Sequence, residues 1–126
     1  MLGPFVGSLA AMGVLDAVYL TLRLTYHQNL FQSVQGSPLT VRILPAAVVY
    51  LLLAFAIVYV AVLPARSMNE AIMRGALTGG VMYGFYDATN YATLSRWTLS
   101  MALTDTLWGT LCGAAGAAAG YYIKGL

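Results

Sequence analysis

Residues 43–63 read ILPAAVVYLLLAFAIVYVAVL, a run of 21 residues without a charged side chain. A helix needs about 20 mainly apolar residues to cross the roughly 30 Å hydrocarbon core of a bilayer, so this run is long enough to span a membrane. Arg42 precedes the run, and Pro64 and Arg66 follow it. Cationic side chains at both ends are typical of helices that end at the membrane surface.

Three further apolar stretches of similar length surround this run, at residues 4–22, 71–94 and 98–123. The four stretches predict an all-α fold, a four-helix transmembrane bundle in up-down-up-down order, with residues 1–126 as a single polytopic membrane domain. Residues 24–40 are polar and end in the turn signal Gly36-Ser37-Pro38, so we expect the longest loop there.

The composition agrees with a membrane protein, because 60% of the residues are hydrophobic and 8% are charged, against roughly a quarter charged in soluble domains. A net charge of +2 without a basic cluster argues against nucleic-acid binding. One cysteine and one histidine predict no disulfide and no metal site. The first stretch lacks a cationic n-region, so we expect it to be retained as a helix.

The loops do not determine an orientation, because three cations fall on each side of the predicted bundle. One side carries Arg23, Arg42 and Arg96, and the other carries Arg66, Arg74 and Lys124. We expect the chain to lie in a lipid bilayer, either a bacterial cytoplasmic membrane or an organellar inner membrane.

Three of the four acidic residues, Asp16, Asp87 and Asp105, lie inside the predicted helices. An Asp at the centre of a membrane helix costs about 2.5–3.5 kcal/mol on insertion scales, so three of them need a compensating role. Counting from Arg23 and Arg96 at about 1.5 Å per residue places all three carboxyls roughly 10–14 Å from the same membrane surface. Eight residues after Arg42, Tyr50 falls at that depth too.

These positions predict a polar intramembrane cluster. Because carboxylates close together at low dielectric cannot all ionise, we expect at least one to be protonated at pH 7. Two interpretations stay open: a site for a cation, proton or substrate, or a polar network that fixes which helix faces meet. The predicted members are Asp16, Tyr19, Tyr50, Asp87, Asn90, Asp105 and Trp108.

Small residues form a stripe on the last helix, at Gly109, Gly113, Gly116 and Gly120. Small residues let helix backbones approach closely in lipid. The stripe therefore predicts a helix-packing surface, either within the bundle or against another subunit.

Two segments of the sequence resemble a known family. Tyr86-Asp87-Ala88-Thr89-Asn90-Tyr91-Ala92-Thr93-Leu94 and Asp105-Thr106-Leu107-Trp108-Gly109-Thr110 are similar to paired motifs of small predicted membrane proteins, known mainly from bacteria and catalogued as a domain of unknown function. Leu15-Asp16-Ala17 resembles the first-helix motif of that family, which has Trp where Tyr19 stands. The resemblance implies a four-helix membrane protein and no particular activity.

The sequence leaves functions of several different classes open. The first is a non-enzymatic structural or accessory subunit of a larger membrane complex, with other membrane subunits or a second copy as partners through the last helix. The alternative is a transporter or conduit for protons, cations or a small polar solute, which would use the three Asp residues. An enzyme using one Asp as a general acid ranks lower, and we predict no catalytic residue and no cofactor.

Overall fold

The structure of the chain is a computed structural model that describes residues 2–126. Over these residues the chain is helical, with no strand. The all-α class is therefore confirmed, and each predicted span coincides with a long helix to within three residues. The elements are α1 (Leu2–Leu22), α2 (Leu24–Gln35), α3 (Ile43–Ala56, continued by a π-helical segment, Ile57–Val62), α4 (Met68–Thr93) and α5 (Leu99–Lys124).

Judged by length and apolarity alone, two of the described helices qualify as membrane spans: Leu2–Leu22 and Ile43–Val62. Helices α4 and α5 have 26 residues each, which is ample length, but glycine, threonine and acidic residues lower their mean hydropathy. Four membrane crossings thus stay a prediction, although the four long helices are present.

The prediction of a loop over residues 24–40 is wrong for most of that segment, because α2 occupies Leu24–Gln35. Its polar composition concealed a helical spacing of apolar side chains, among which Leu30 and Phe31 pack against Trp97. The turn signal does end this helix: Gly36 has a φ of 77°, and its N–H donates to the carbonyl of Gln32. A left-handed residue at this position is the usual role of glycine after a helix.

Helix α5 runs antiparallel to both α1 and α4. Gly75 faces Gly113 and Gly79 faces Gly109, so residue numbers rise along α4 as they fall along the facing side of α5. On α1, Ser8 donates a hydrogen bond to the carbonyl of Gly116 at 2.7 Å.

The contacts divide the molecule into two halves along the helix axes. We call residues 2–12, 57–79 and 109–126 the glycine half, and residues 13–56 and 80–108 the cleft half.

The glycine half is packed so closely that a Cβ does not fit at several positions. At Gly79 it would overlap the carbonyl oxygen of Gly109, and at Gly113 the carbonyl oxygen of Gly75. At Gly120 it would overlap the hydroxyl of Ser8. Backbone contact of this kind is the usual consequence of small residues at a helix interface in lipid.

All four glycines of the predicted stripe lie in this packing. Gly109 and Gly113 are covered by α4, whereas Gly116 and Gly120 are covered by α1. They are buried within a single chain.

Side-chain caps close the outer end of the glycine half. The Ser67 hydroxyl accepts from the N–H of Glu70, and the Glu70 carboxylate accepts from the N–H of Arg66, which forms a reciprocal capping box at the start of α4. Lys124 donates to the carbonyls of Val62 and Leu63 at the end of α3. Side chains of the same protein thus bond two N–H groups at the start of α4 and two carbonyls at the end of α3.

Helix α3 behaves differently in its two parts. One face of the π-helical segment is buried, with Ile57, Val58, Ala61 and Val62 fully covered, while Tyr59 and Val60 are exposed. The first part leaves the bundle, and Ile43, Leu44 and Val49 are exposed by 82%, 77% and 60%. An opening therefore separates the first part of α3 from α4 and α5.

Candidate functional site

The carboxylate of Asp16 joins three helices in the cleft half. It is buried and accepts hydrogen bonds from the Tyr50 hydroxyl on α3 and from the Trp108 indole N–H on α5, the latter at 2.6 Å. Tyr19, one turn further along α1, stacks on Trp108 with ring centroids 4.3 Å apart. We call Asp16, Tyr19, Tyr50 and Trp108 the Asp16 group.

A second pair of carboxyls lies apart from this bonded group. Asp87 on α4 is fully buried, and neither of its carboxyl oxygens makes a well-aligned hydrogen bond, although two polar side chains lie within reach of them. The Asp105 carboxyl and the Trp97 indole N–H lie beside it, and this N–H is also unpartnered. We call Asp87 and Asp105 the carboxyl pair. An ionised carboxyl without a partner is costly to bury, so this pair needs a proton, a cation or a donor from a bound molecule.

The structure thus divides the predicted polar cluster. Tyr83 connects the two parts, because it lies within electrostatic range of both Asp16 and Asp105. Asn90 stands beside Tyr86 on the same helix, and the described residues show no hydrogen bond from Asn90 to a carboxylate.

Beside these groups, the opening between α3 and the rest of the bundle forms a cleft with two connected parts. The part next to Asp105 has a volume of about 500 Å³, and the part next to Asp16 and Arg42 has a volume of about 440 Å³. Both are lined by Phe31, Val49, Leu53, Tyr83 and Tyr86, while the first part is also lined by Leu20, His27, Leu52, Met82 and Met101.

His27 borders this cleft and is held by the backbone. Its Nδ1–H donates to the carbonyl of Arg23 at 2.9 Å, which leaves Nε2 as an acceptor in the neutral ring. The side chain is buried.

Sequence reasoning missed Phe31, Trp97 and Val49 as residues around the site. Phe31 escaped because residues 24–35 were predicted as a loop, and the spacing of Leu30, Phe31 and Val34 on one helix face could have revealed it. Trp97 lies between two of the predicted spans, where a surface position would be expected, yet only 3% of it is exposed. Nothing in the local sequence predicts that Val49 lines a cleft, since this depends on where α3 leaves the bundle.

Other chemistry finds little support in the geometry. Among residues 2–126, no three His, Cys, Asp or Glu side chains come together in a group that could hold a metal ion. Cys112 is buried in the apolar core with Met12 and Ile57. Such a thiol acts as a small packing residue.

The comparisons place these features in a family. The family described as "Predicted membrane protein (DUF2177)" matches residues 1–122. Comparison with curated proteins and with solved structures finds no match. The resemblance drawn from the motifs, to membrane proteins catalogued as a domain of unknown function, is confirmed. Because the match covers nearly the whole sequence, this chain belongs to the DUF2177 family of predicted membrane proteins.

Proposed function

We propose that the chain crosses the bilayer four times, through α1, α3, α4 and α5. At about 1.5 Å per residue, the 26 residues of α4 or α5 extend about 39 Å, which exceeds the hydrocarbon thickness. The outward faces of both helices are apolar, with Leu77 and Phe85 of α4 and Leu103 and Leu107 of α5 more than 60% exposed. Such faces suit lipid and would be unfavourable in water.

Helix α2 fits the membrane surface in this arrangement. Its apolar side chains pack on Trp97 and Met101, whereas Gln28, Asn29 and Gln32 on the other face are exposed. An amphipathic helix of this kind lies in the interface rather than across the bilayer. It covers the cleft half at its outer end.

We infer that the cleft is the functional site, and that the protein is a transporter or conduit for protons, cations or a small polar solute. The observation that carries this proposal is the position of Asp105, which lines the larger part of the cleft and has the unpartnered Asp87 beside it. Ionisable groups inside a membrane protein usually mark a path for ions or substrates. The cleft gives such a path an opening.

The first hypothesis from the sequence, an accessory subunit that binds partners through the last helix, receives less support. Gly109, Gly113, Gly116 and Gly120 are covered by α1 and α4 of the same chain, so they offer no surface to a second subunit. The hypothesis then rests on the small size of the chain and on the lack of recognisable catalytic machinery in its sequence.

Reconstitution into proteoliposomes tests the transport proposal. Uptake of H⁺, Na⁺, K⁺ and methylammonium is measured for the wild type, for Asp105→Asn and for Glu70→Gln. The Glu70→Gln variant is the matched control, because it makes the same chemical change at an acid outside the cleft. We expect wild-type flux of at least one of these cations above that of empty liposomes, and a loss of about tenfold or more in Asp105→Asn, as for removal of one charge from a desolvated site.

The outcomes separate the two hypotheses. Flux that is lost in Asp105→Asn, with unchanged helicity and elution volume in detergent, supports transport. Wild-type flux equal to that of empty liposomes would contradict it. Loss of assembly in Asp105→Asn together with no wild-type flux would favour a structural role for the carboxyls.

A further inference from the structure

The larger part of the cleft is apolar along its length and acidic at one place. Val49, Leu52 and Met82 line it, and these three side chains are also exposed on the outside of the bundle by 60%, 61% and 37%. The cleft therefore communicates with the surface that faces lipid in the four-span arrangement. Of the side chains lining this part, Asp105 is the one acid.

The described chain supplies no cation to this acid. In residues 2–126 the only ion pair joins Arg74 to Glu70, at the far end of the molecule. Arg42 borders the adjoining part of the cleft, next to Asp16, and does not line the part that contains Asp105. No Lys or Arg of the described residues therefore pairs with Asp105.

The remaining groups around Asp105 suit a positively charged nitrogen. Phe31, Tyr83 and Tyr86 present aromatic rings to the same part of the cleft, and aromatic faces attract cations. His27 lines it too, with Nε2 able to accept a hydrogen bond when the ring is neutral. An ammonium group has only donors, so it matches a site composed of acceptors and rings.

We propose that this cleft binds an amphipathic ammonium compound, with the ammonium group at Asp105 and a single apolar chain lying along Val49, Leu52 and Met82. The proposal rests on the transport function proposed above and specifies its ligand. Charge complementarity selects the head group, and the continuity of the apolar lining with the lipid-facing surface selects a chain rather than a small hydrophilic ion. The ligand reaches the site sideways, between α3 and α4.

Native mass spectrometry in maltoside micelles tests the proposal, with dodecylamine as the probe. Methylamine lacks the apolar chain, dodecanol lacks the charge, and dodecanoate carries the opposite charge, so each control changes one feature of the probe. We expect the wild type to retain dodecylamine about tenfold more tightly than any of the three controls, and Asp105→Asn to lose that preference.

A pair of bulky substitutions makes the test independent of Asp105. Val49→Trp should fill the cleft and abolish dodecylamine binding, because Val49 lines both parts. Val48→Trp is the matched control, because Val48 is next to Val49 on α3 and is also exposed, by 45%, but lines neither part of the cleft. It should bind as the wild type does.

The outcomes distinguish this inference from the function on which it rests. Equal binding of dodecanol and dodecylamine, or equal loss in both tryptophan variants, would overturn it. Binding of methylamine as tight as that of dodecylamine would contradict the proposed role of the apolar chain but would leave the cation-transport proposal intact. Absence of both cation binding and flux would overturn the two together.

Discussion

The glycine half and the cleft half are built from the same four long helices but are held together by different interactions. In the glycine half, backbones meet directly, as where Gly79 faces Gly109 and Gly75 faces Gly113. In the cleft half, α1, α3 and α5 meet through the side chains of the Asp16 group, and α3 leaves the bundle. Backbone contact leaves no room for a ligand, whereas polar side-chain contact leaves a cleft.

This difference assigns separate roles to the two halves. The glycine half fixes the helices at one end by dispersion contacts and backbone proximity, which need no water and suit a lipid environment. The cleft half carries every acid that lies within the predicted spans. The closely packed end positions the helices that carry the carboxyls, and the open end leaves Asp105 on the wall of a cleft.

The largest effect is expected from adding a single methyl group to the glycine half. In Gly79→Ala the new Cβ overlaps the carbonyl oxygen of Gly109, and neither backbone can move without separating α4 from α5. We expect a loss of about 2 kcal/mol or more in the free energy of unfolding, as for overpacked cores. Titration with SDS, followed by tryptophan fluorescence, measures it.

Gly13→Ala is the control from the cleft half. A Cβ at Gly13 would meet no atom within 4 Å, so the same chemical change should leave stability unchanged or slightly raised. Equal destabilisation by the two variants would show that the halves do not differ in packing.

A smaller effect is expected within the cleft half, between an acid with partners and one without. Asp16→Asn replaces a charged acceptor of two hydrogen bonds by a neutral amide, so we expect a loss of about 1 kcal/mol. Asp87→Asn removes a buried carboxyl that makes no well-aligned bond to its neighbours Asp105 and Trp97, so stability should stay the same or rise.

The same SDS titration compares these two variants. In a Trp97→Phe background, which leaves Trp108 as the one tryptophan, a shift in emission should accompany only Asp16→Asn, because Asp16 accepts from the indole of Trp108. Destabilisation by Asp87→Asn as large as that by Asp16→Asn would mean that Asp87 is bonded within the chain, which would remove the main argument for a ligand at the carboxyl pair.

The sequence predicted the four long helices because their apolar lengths follow from spacing along one chain, whereas the common depth of the three acids stays a prediction. It did not predict how the acids divide, with Asp16 bonded to Trp108 and Asp87 placed beside Asp105. That division depends on how each helix rotates about its own axis, which is set by contacts such as Gly79 on Gly109 and not by periodicity.

The cleft was equally inaccessible to sequence reasoning. Its shape depends on where α3 leaves the bundle. The π-helical segment that continues α3 is marked by a hydrogen bond from the N–H of Leu63 to the carbonyl of Val58. A wider turn changes which side chains face inward, so the apolar run 43–63 does not reveal where packing stops. Helix α2 was missed because its composition is polar although its apolar residues share one face.

The smallest effect is expected from the one acid that lies outside the predicted spans, at the outer end of the glycine half. The backbone N–H of Arg66 and the guanidinium of Arg74 donate to the Glu70 carboxylate and lower the pKa of Glu70 below its ordinary value of 4.5. Because the pKa is lower in the folded chain, the stabilisation is present above about pH 4.5 and is lost as the pH falls through the folded value.

Unfolding of the wild type and of Glu70→Gln at pH 7 and at pH 3 measures this stabilisation, since Gln keeps an acceptor for the N–H of Arg66 but does not titrate. The two proteins should differ slightly at pH 7 and converge at pH 3, because the carboxylate is accessible to solvent, which weakens its bonds. A difference that grows on acidification would contradict the capping role of Glu70 and would place the acid-sensitive contact of the glycine half elsewhere.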